Sequence, residues 1–286
     1  MTPEVIATIA GLRTRLAPLR AQATAIGFVP TMGALHAGHA ALMARARGEC
    51  GAVVTSIFVN PLQFDRPEDL ERYPRTLDAD LAVCAAEGVD FVFAPAVAEM
   101  YPVPPACSVD VGILGDHLCG KYRPGHFRGV ATVVLKLLQI AGADVAYFGE
   151  KDAQQLAVVR RLVADFNVPV RIEGVPTVRE ADGLALSSRN VRLSADERRD
   201  ATALFRALGE VRRQVESGRR DAAGITRQAA AVIPAAAGLR LEYLELVEPD
   251  TFQPVAIVDG PVVAAGALWV GGTRLIDNVR CEPQSS

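Results

Sequence analysis

Lysine, histidine and tryptophan are scarce in this chain of 286 residues, with three, four and one copies respectively. The net charge is −3, from 30 basic and 33 acidic residues. This balance provides no basic surface for a nucleic-acid backbone, so we expect no nucleic-acid partner. The longest apolar runs, 130–140 and 262–270, are too short to cross a bilayer, so we expect no membrane association.

The five cysteines are an odd number and include no C-x-x-C pair. Their spacing argues against a disulfide framework or a zinc knuckle and favours reduced thiols. Residues 1–16 lack the charged start, apolar middle and cleavage site of a signal peptide, and they predict a short amphipathic helix instead. We therefore expect a cytoplasmic protein.

Short β-branched runs alternate with helical patterns through the first two-thirds of the chain, and the length itself predicts about two domains. Apolar strands separated by helices predict an α/β fold, a Rossmann-like parallel sheet with helices on both faces, over residues 1–180. The predicted strands are Ala25–Val29, Ala52–Val59, Asp90–Ala94, Val145–Phe148 and Pro169–Val175. The predicted helices are Gly38–Arg47, Leu77–Glu87, Gly129–Ala141 and Asp152–Phe166.

The pattern changes after about residue 180, and residues 181–286 predict a smaller α+β C-terminal domain. A long amphipathic helix is predicted at Ser194–Glu216, where Ser194 and Glu197 have the spacing of a capping box. A second helix at Asp221–Ile233 precedes three predicted strands, of which the last two are joined by a Gly-Gly turn. These strands are Arg240–Val247, Val262–Val270 and Thr273–Val279.

The segment PTMGALHAGH, residues 30–39, follows the first predicted strand of this sheet and begins a helix. Gly33 and Gly38 allow close approach to the backbone, and a helix N-terminus attracts phosphate. His36 and His39 lie three residues apart, so they face the same way on one helical turn. A phosphate site is favoured over a plain glycine turn, and a zinc site is disfavoured because no third ligand lies at the required spacing.

Three further segments follow strands or lie at the domain junction. In NPLQF, residues 60–64, Gln63 offers a neutral amide that both donates and accepts hydrogen bonds. In GEKDAQQ, residues 149–155, the cation of Lys151 opposes the helix dipole, which favours a functional role. The loop LALSSRN, residues 184–190, is either a phosphate-binding loop or a solvated linker. Arg123 and His126 lie in a glycine-rich stretch and are either ligand contacts or solvent-exposed.

The ten-residue histidine segment resembles the HxGH signature of the class I adenylyl-transferring superfamily. The segments PTMGALHAGH, NPLQF, YPRT (residues 73–76), GEKDAQQ and LSSRN follow one another in this order. As a set they resemble the pantothenate synthetase family from Pro30 to Asn190. The resemblance implies a homodimeric ligase that uses ATP and Mg²⁺ to join pantoate to β-alanine through a pantoyl adenylate. The later helices and hairpin are similar to the smaller C-terminal domain of that family.

The same resemblance assigns roles to individual residues. It implies catalytic roles for His39, His36 and Lys151, and pantoate binding by Gln63 and Gln155, with Gln63 also facing β-alanine. ATP is expected at Met32, Gly33, Ala34, Leu35, His36, Ala37, Gly38, His39, Gly149, Glu150, Lys151, Asp152, Val178, Leu186, Ser187, Ser188 and Arg189. The metal ligands stay unknown, with Asp78 and Asp80 as candidates.

Other functions are compatible with part of the pattern. A nucleotidylyltransferase of the same superfamily would need more cations for a second phosphate. An aminoacyl-tRNA synthetase would need an anticodon-binding domain and a basic face. A regulatory nucleotide-binding module would need the phosphate loops but not both histidines.

Overall fold

A computed structural model describes residues 2–283. The strands are β1 (Glu4–Ile6), β2 (Ile26–Thr31), β3 (Ala52–Ile57), β4 (Phe91–Phe93), β5 (Val145–Gly149), β6 (Arg171–Val175), β7 (Leu239–Val247), β8 (Val262–Val270) and β9 (Thr273–Cys281). The helices are α1 (Ile9–Ala21), α2 (Ala37–Glu49), α3 (Pro67–Glu71), α4 (Leu77–Ala86), α5 (Val97–Met100), α6 (Leu118–Tyr122), α7 (His126–Ala141), α8 (Ala153–Asp165), α9 (Ala195–Asp200), α10 (Thr202–Glu216) and α11 (Ala222–Ala230). Single 3-10 turns lie at Pro61–Gln63 and Glu150–Asp152.

The chain divides into two compact units. The first runs to Val111 and includes Arg123–Glu150 and Val158–Pro176, while the second contains Gly112–Tyr122, Lys151–Ala157 and the chain from Thr177 onward. The predicted division into residues 1–180 and 181–286 differs in that two short segments, 112–122 and 151–157, group with the second unit. These segments are joined by Gln154, whose side-chain amide donates to the main-chain oxygens of Leu114 and His117.

The first unit contains a six-stranded parallel sheet in the order β1-β4-β3-β2-β5-β6. The chain runs outward from β2 through β3 to β4, and β5 then pairs with the other side of β2. In such sheets ligands bind beyond the carboxyl ends of the strands where the order reverses, here β2 and β5.

Both faces of this sheet are covered. Val29 of β2 packs with Met43 of α2 and Cys84 of α4 in one apolar cluster. Phe28, its neighbour along β2, is also buried and points to the opposite face, because side chains alternate along a strand. The predicted Rossmann-like parallel sheet is therefore confirmed.

The prediction of a helix over residues 1–16 is wrong at its start. Residues Glu4–Ile6 form β1 and pair with β4, and α1 begins only at Ile9. The run Val5-Ile6 is β-branched, which favours a strand when a partner strand is available. Thr8 then caps α1 by accepting a hydrogen bond from the N–H of Gly11.

The second unit contains the antiparallel sheet β7-β8-β9, with a hairpin turn at Gly271 and Gly272 as predicted. Its apolar cluster includes Leu204 and Leu208 of α10 together with Leu268 of β8. The predicted helix Ser194–Glu216 is two helices, α9 and α10, separated at Ala201. The capping box of Ser194 and Glu197 is confirmed.

The helices of residues 2–283 include none long and apolar enough to span a bilayer.

Candidate active site

The loop between β2 and α2 is held in place by a buried carboxylate. Gly33 has a φ of +79°, a conformation that favours glycine. Asp80, only 1% exposed, lies on α4 and accepts hydrogen bonds from the N–H groups of Ala34 (3.1 Å) and Leu35 (2.8 Å). Thr76 also donates its hydroxyl to this carboxylate, at 3.2 Å. Asp80 therefore fixes the backbone path of the loop that leads to the histidines.

This role of Asp80 differs from the metal ligation considered from the sequence. Its two oxygens are already engaged by main-chain N–H groups, whereas Asp78 is exposed on the outer face of the same helix. Within residues 2–283 there is no group of three or more His, Cys, Asp or Glu side chains arranged to hold a metal ion. The protein side chains therefore form no carboxylate cage for Mg²⁺ in this part of the chain.

His36 and His39 form a reciprocal capping box at the start of α2. The N–H of Gly38 donates to Nδ1 of His36 (3.1 Å), and the N–H of His36 donates to Nδ1 of His39 (3.3 Å). A main-chain N–H can only donate, so both Nδ1 atoms act as acceptors. In each neutral ring the proton is then on Nε2. The two ring centroids lie 4.2 Å apart, so the neutral rings carry both Nε2–H groups on one helical turn.

Gln63 belongs to a chain of hydrogen bonds beyond the carboxyl end of β3. The hydroxyl of Tyr101 donates to Oδ1 of Asn60 (3.0 Å), and Nδ2 of Asn60 donates to Oε1 of Gln63 (3.0 Å). Nε2 of Gln63 in turn contacts the sulfur of Met32 at 3.2 Å. Burial raises the pKa of Tyr101 to about 12, so its hydroxyl stays a donor at neutral pH. The amide of Gln63 is thereby fixed in one orientation next to the histidine loop.

Asn60 is a site residue to which sequence reasoning assigned no role. It is 1% exposed and its Nδ2 also donates to the main-chain oxygen of Gly129, at 3.1 Å. A Cβ on Gly129 would lie 2.3 Å from the oxygen of Leu62, so only glycine lets α7 approach the turn that carries Gln63. The signal in the sequence was an asparagine directly before proline at a strand end, which is typical of a turn.

Arg123 and His126 support the same turn from the other side. Nδ1 of His126 lies 2.8 Å from the main-chain oxygen of Gln63, and because a carbonyl only accepts, Nδ1 carries the proton. Arg123 donates to Nε2 of His126 (3.1 Å) and to the carboxylate of Asp65 (2.9 Å). His126 is buried, so the alternative of solvent exposure is wrong for it. Both Arg123 and His126 donate hydrogen bonds to the main-chain oxygen of Gln63.

In the second unit, Lys151 and Asp152 follow β5 in a 3-10 turn that leads into α8. Nζ of Lys151 lies 3.6 Å from Oδ1 of Asp152. The two neighbouring glutamines differ in their surroundings. Gln154 is buried and its side chain bonds three main-chain groups, whereas the half-buried side chain of Gln155 has no hydrogen bond to any other described residue. Gln155 therefore has its amide available to a ligand.

Val178 and Leu186 lie opposite each other in a small hairpin of the second unit. The N–H of Leu186 donates to the oxygen of Val178 (3.0 Å), and Arg179 and Ala185 form the adjoining β-bridge. Ser187 accepts from the N–H of Arg189 through its hydroxyl, at 3.2 Å. Leu186 thus ends the second arm of a hairpin, and the segment continues as a hydrogen-bonded turn in which the N–H of Asn190 donates to the oxygen of Ser187 at 3.0 Å. Phosphate binding by this loop stays a prediction.

Known proteins resemble this chain over nearly its whole length. A family model for pantoate-beta-alanine ligase matches residues 4–280. A pantothenate synthetase of Moorella thermoacetica is 50% identical over 279 residues, which cover 98% of this chain and 99% of that protein. The chain belongs to the pantoate-beta-alanine ligase family.

Some members of this family are much longer. A bifunctional pantoate ligase/cytidylate kinase of Thermosynechococcus vestitus is 54% identical over 282 residues, which cover 96% of this chain and 54% of that protein. The chain spans about half the length of this relative and of two bifunctional relatives from Synechococcus.

Solved structures of the family have the same fold. Pantothenate synthetase from Thermus thermophilus superposes with a TM-score of 0.92 at 47% identity, covering 98% of this chain and all 100% of the other. The pantoate-beta-alanine ligase from Francisella tularensis, complexed with beta-gamma ATP and beta-alanine, gives a TM-score of 0.80 at 35% identity over 97% of each chain.

Proposed function

We propose that this chain is an ATP-dependent ligase that condenses pantoate with β-alanine to pantothenate, with a pantoyl adenylate as intermediate and AMP and pyrophosphate as products. The observation that carries the proposal is the pairing of two histidine Nε2–H donors with the fixed amide of Gln63 at adjacent strand ends. Family membership and the ligand-bound relative from Francisella tularensis support it.

Pantoate binding is assigned to Gln63 and Gln155. Each oxygen of a primary amide can accept two hydrogen bonds and each nitrogen can donate two. At Gln63 the network of Asn60 and Met32 occupies one of each, which leaves one acceptor and one donor for a substrate hydroxyl and carboxylate. The unengaged amide of Gln155 can likewise donate to a carboxylate and exchange hydrogen bonds with a hydroxyl group.

In the first half-reaction, a carboxylate oxygen of pantoate forms a bond to the α-phosphorus of ATP. The α–β bridging P–O bond breaks, and pyrophosphate leaves with its electron pair. Negative charge grows on the bridging oxygen as that bond breaks, so fixed donors aimed at it lower the barrier more than they aid ground-state binding. We assign this role to the Nε2–H groups of His36 and His39, and to the ammonium of Lys151.

In the second half-reaction, the free amine of β-alanine attacks the acyl carbon of the adenylate. The C–O bond to AMP breaks, AMP leaves with the electron pair, and the nitrogen loses a proton. The adenylate is susceptible to hydrolysis, so exclusion of water is expected while it persists. The hairpin end Leu186–Arg189 is our candidate for a closing element.

Within this proposal, the remaining ATP contacts divide by segment. Met32, Gly33, Ala34, Leu35, Ala37 and Gly38 are assigned to ATP, since this segment leads into the N-terminus of α2, which favours anions. Gly149, Glu150 and Asp152 are assigned to ribose and phosphate, Val178 to adenine, and Leu186, Ser187, Ser188 and Arg189 to the triphosphate.

Three further features stay predictions: a Mg²⁺ requirement, a homodimer and a cytoplasmic location. Magnesium in nucleotide enzymes is commonly held by substrate phosphates and one or two carboxylates. The described residues lack a larger carboxylate cluster, so they fit an ion that enters with ATP, and no step is assigned to it.

Incubation of the protein with ATP, pantoate and β-alanine tests the proposal. AMP and pantothenate should form in equal amounts, and pantoate alone should support exchange of labelled pyrophosphate into ATP. A nucleotidylyltransferase or a regulatory module would form no pantothenate. Exchange that strictly required β-alanine would contradict a separate adenylate.

A further inference from the structure

The last strand of the second unit holds the main chain of Lys151. Nδ2 of Asn278, on β9, donates to the main-chain oxygen of Lys151 at 2.9 Å. Both residues belong to the second unit, although they are separated by 127 positions in the sequence. A residue of the C-terminal hairpin thus fixes the backbone from which the only lysine of the proposed active site extends.

Asn278 is itself held by a buried ion pair. Arg179 donates to both oxygens of Asp277, at 2.7 and 2.8 Å, and Asp277 is 5% exposed. Asp277 also accepts from the N–H of Asn278 (2.8 Å), and Arg179 donates to the oxygen of Asn278 (3.2 Å). Both main-chain groups of Asn278 are therefore fixed, and its side chain is directed at Lys151.

The position of Asp277 indicates that its ion pair with Arg179 has a role beyond the stability of the fold. Along β9 the residues Leu275, Asp277 and Val279 are all buried, so a carboxylate occupies a position where the strand pattern calls for an apolar side chain. A buried ion pair is often no more stabilising than apolar residues of the same volume. The charge is better explained by the geometry that it imposes on its neighbours.

The same arginine fixes the hairpin that contains Val178 and Leu186. Arg179 donates to the main-chain oxygen of Gly183 (2.9 Å), and its guanidinium lies 4.4 Å from the ring centroid of Phe205. Gly183 has a φ of +91°, and a Cβ there would lie 2.2 Å from the ring of Phe205. Asp277 and Asn278 of β9 therefore hold two segments in place: the turn that contains Lys151 and, through Arg179, the hairpin that contains Val178 and Leu186.

We propose that Asn278 is a positioning residue for Lys151, held in register by the ion pair of Asp277 and Arg179. The inference rests on the proposed function, because it requires Lys151 to act on the departing pyrophosphate. A lysine side chain is long and flexible, so the place of its main chain decides how well its ammonium is aligned. A misplacement of about 1 Å lowers a rate by up to roughly 10²-fold.

The test compares Asn278→Ala and Asn278→Asp in single-turnover adenylate formation. Both variants lack the Nδ2–H donor, and we expect each to slow this step by about 10- to 100-fold. The KM for ATP should change little. The reaction of preformed pantoyl adenylate with β-alanine should stay near the wild-type rate, which also establishes that the variants are folded. Arg280→Gln, which removes the exposed ion pair between Arg280 of β9 and Glu282, is the matched control and should leave both steps unchanged.

The decisive measurement combines Asn278→Ala with Lys151→Ala. If Asn278 acts through Lys151, the double variant should be no slower than Lys151→Ala alone, whereas independent effects multiply. Multiplying effects, or equal losses in both half-reactions, would overturn the inference. If Lys151→Ala forms the adenylate slowly but Asn278→Ala forms it at the wild-type rate, the inference is overturned and the phosphate role of Lys151 stands. A normal Lys151→Ala would overturn the phosphate role of Lys151 and the inference with it.

Discussion

The main-chain N–H of His36 donates to Nδ1 of His39, so this imidazole caps a helix through Nδ1 and, when neutral, carries its proton on Nε2, the atom to which we assign the catalytic role. These two roles use different atoms of the same ring. Asparagine places an amide oxygen near the position of Nδ1, and glutamine places an amide nitrogen near that of Nε2. Substitution can therefore separate capping from donation.

We expect His39→Asn to keep the cap but to slow adenylate formation by about 10²- to 10³-fold, because the Nε2–H donor is lost. His39→Gln should keep more of the rate and lose about 1 kcal/mol of stability with the cap. Single-turnover kinetics and thermal unfolding of both variants measure the two effects. A faster asparagine variant would show that Nε2–H is not the group acting on the transition state.

The adjacent glutamines of α8 provide a matched pair of substitutions. Gln155→Ala should raise the KM for pantoate roughly 5- to 150-fold, the effect of one unpaired polar group of about 1–3 kcal/mol. Its Tm should stay near that of the wild type, because the side chain has no hydrogen bond to another described residue. Gln154→Ala should instead lower the Tm, since it leaves the main-chain groups of Leu114, His117 and Cys119 without their partner.

Gln63→Ala should resemble Gln155→Ala in its kinetics, with a raised KM for pantoate and an ATP affinity close to that of the wild type. The measurement is steady-state kinetics with each substrate varied in turn. Equal losses for ATP and pantoate in either variant would contradict the assignment of the two amides to pantoate.

The raised pKa of Tyr101 predicts that the folded protein loses stability at high pH. Burial raises its pKa from about 10 in the unfolded chain to about 12 in the folded one, so the unfolded state loses the proton first. Its contribution is complete below about pH 10 and declines as the pH rises towards 12, by on the order of 1 kcal/mol after solvent screening. Urea unfolding across this range should show a flatter pH dependence for Tyr101→Phe than for the wild type. Parallel curves would contradict the shift.

The sequence predicted the elements of the sheet well because buried parallel strands are continuous apolar runs. Val262–Val270 was predicted to the residue, and Ala52 was correctly placed at the start of its strand. β1 was missed because three residues contain too little pattern, and only its pairing with β4 defines it as a strand. Ala201 separates α9 from α10 although alanine favours helices, so tertiary packing decides that break.

The candidate site was less predictable, since supporting residues carry no motif of their own. His36, His39, Gln63 and Lys151 were proposed because glycines and strand ends surround them. Asp80 and Asn278 act through main-chain groups 45 and 127 positions away, and no local spacing signals such contacts. The residues proposed for the chemistry could therefore be selected from the sequence, whereas the residues that hold them in place became visible only in the fold.

Asp80→Asn distinguishes the anchoring of the histidine loop from metal binding. An amide keeps one acceptor oxygen but directs a donor at the N–H of Ala34 or Leu35, which leaves a buried N–H unpaired. We expect a loss of stability of about 1–3 kcal/mol and slower adenylate formation, because the loop shifts. The Mg²⁺ concentration for half-maximal activity should stay that of the wild type. Asp78→Asn, exposed on the same helix, is the control and should leave stability and Mg²⁺ dependence unchanged. A Mg²⁺ requirement raised many-fold in Asp80→Asn alone would make Asp80 a metal ligand and overturn its role as a loop anchor.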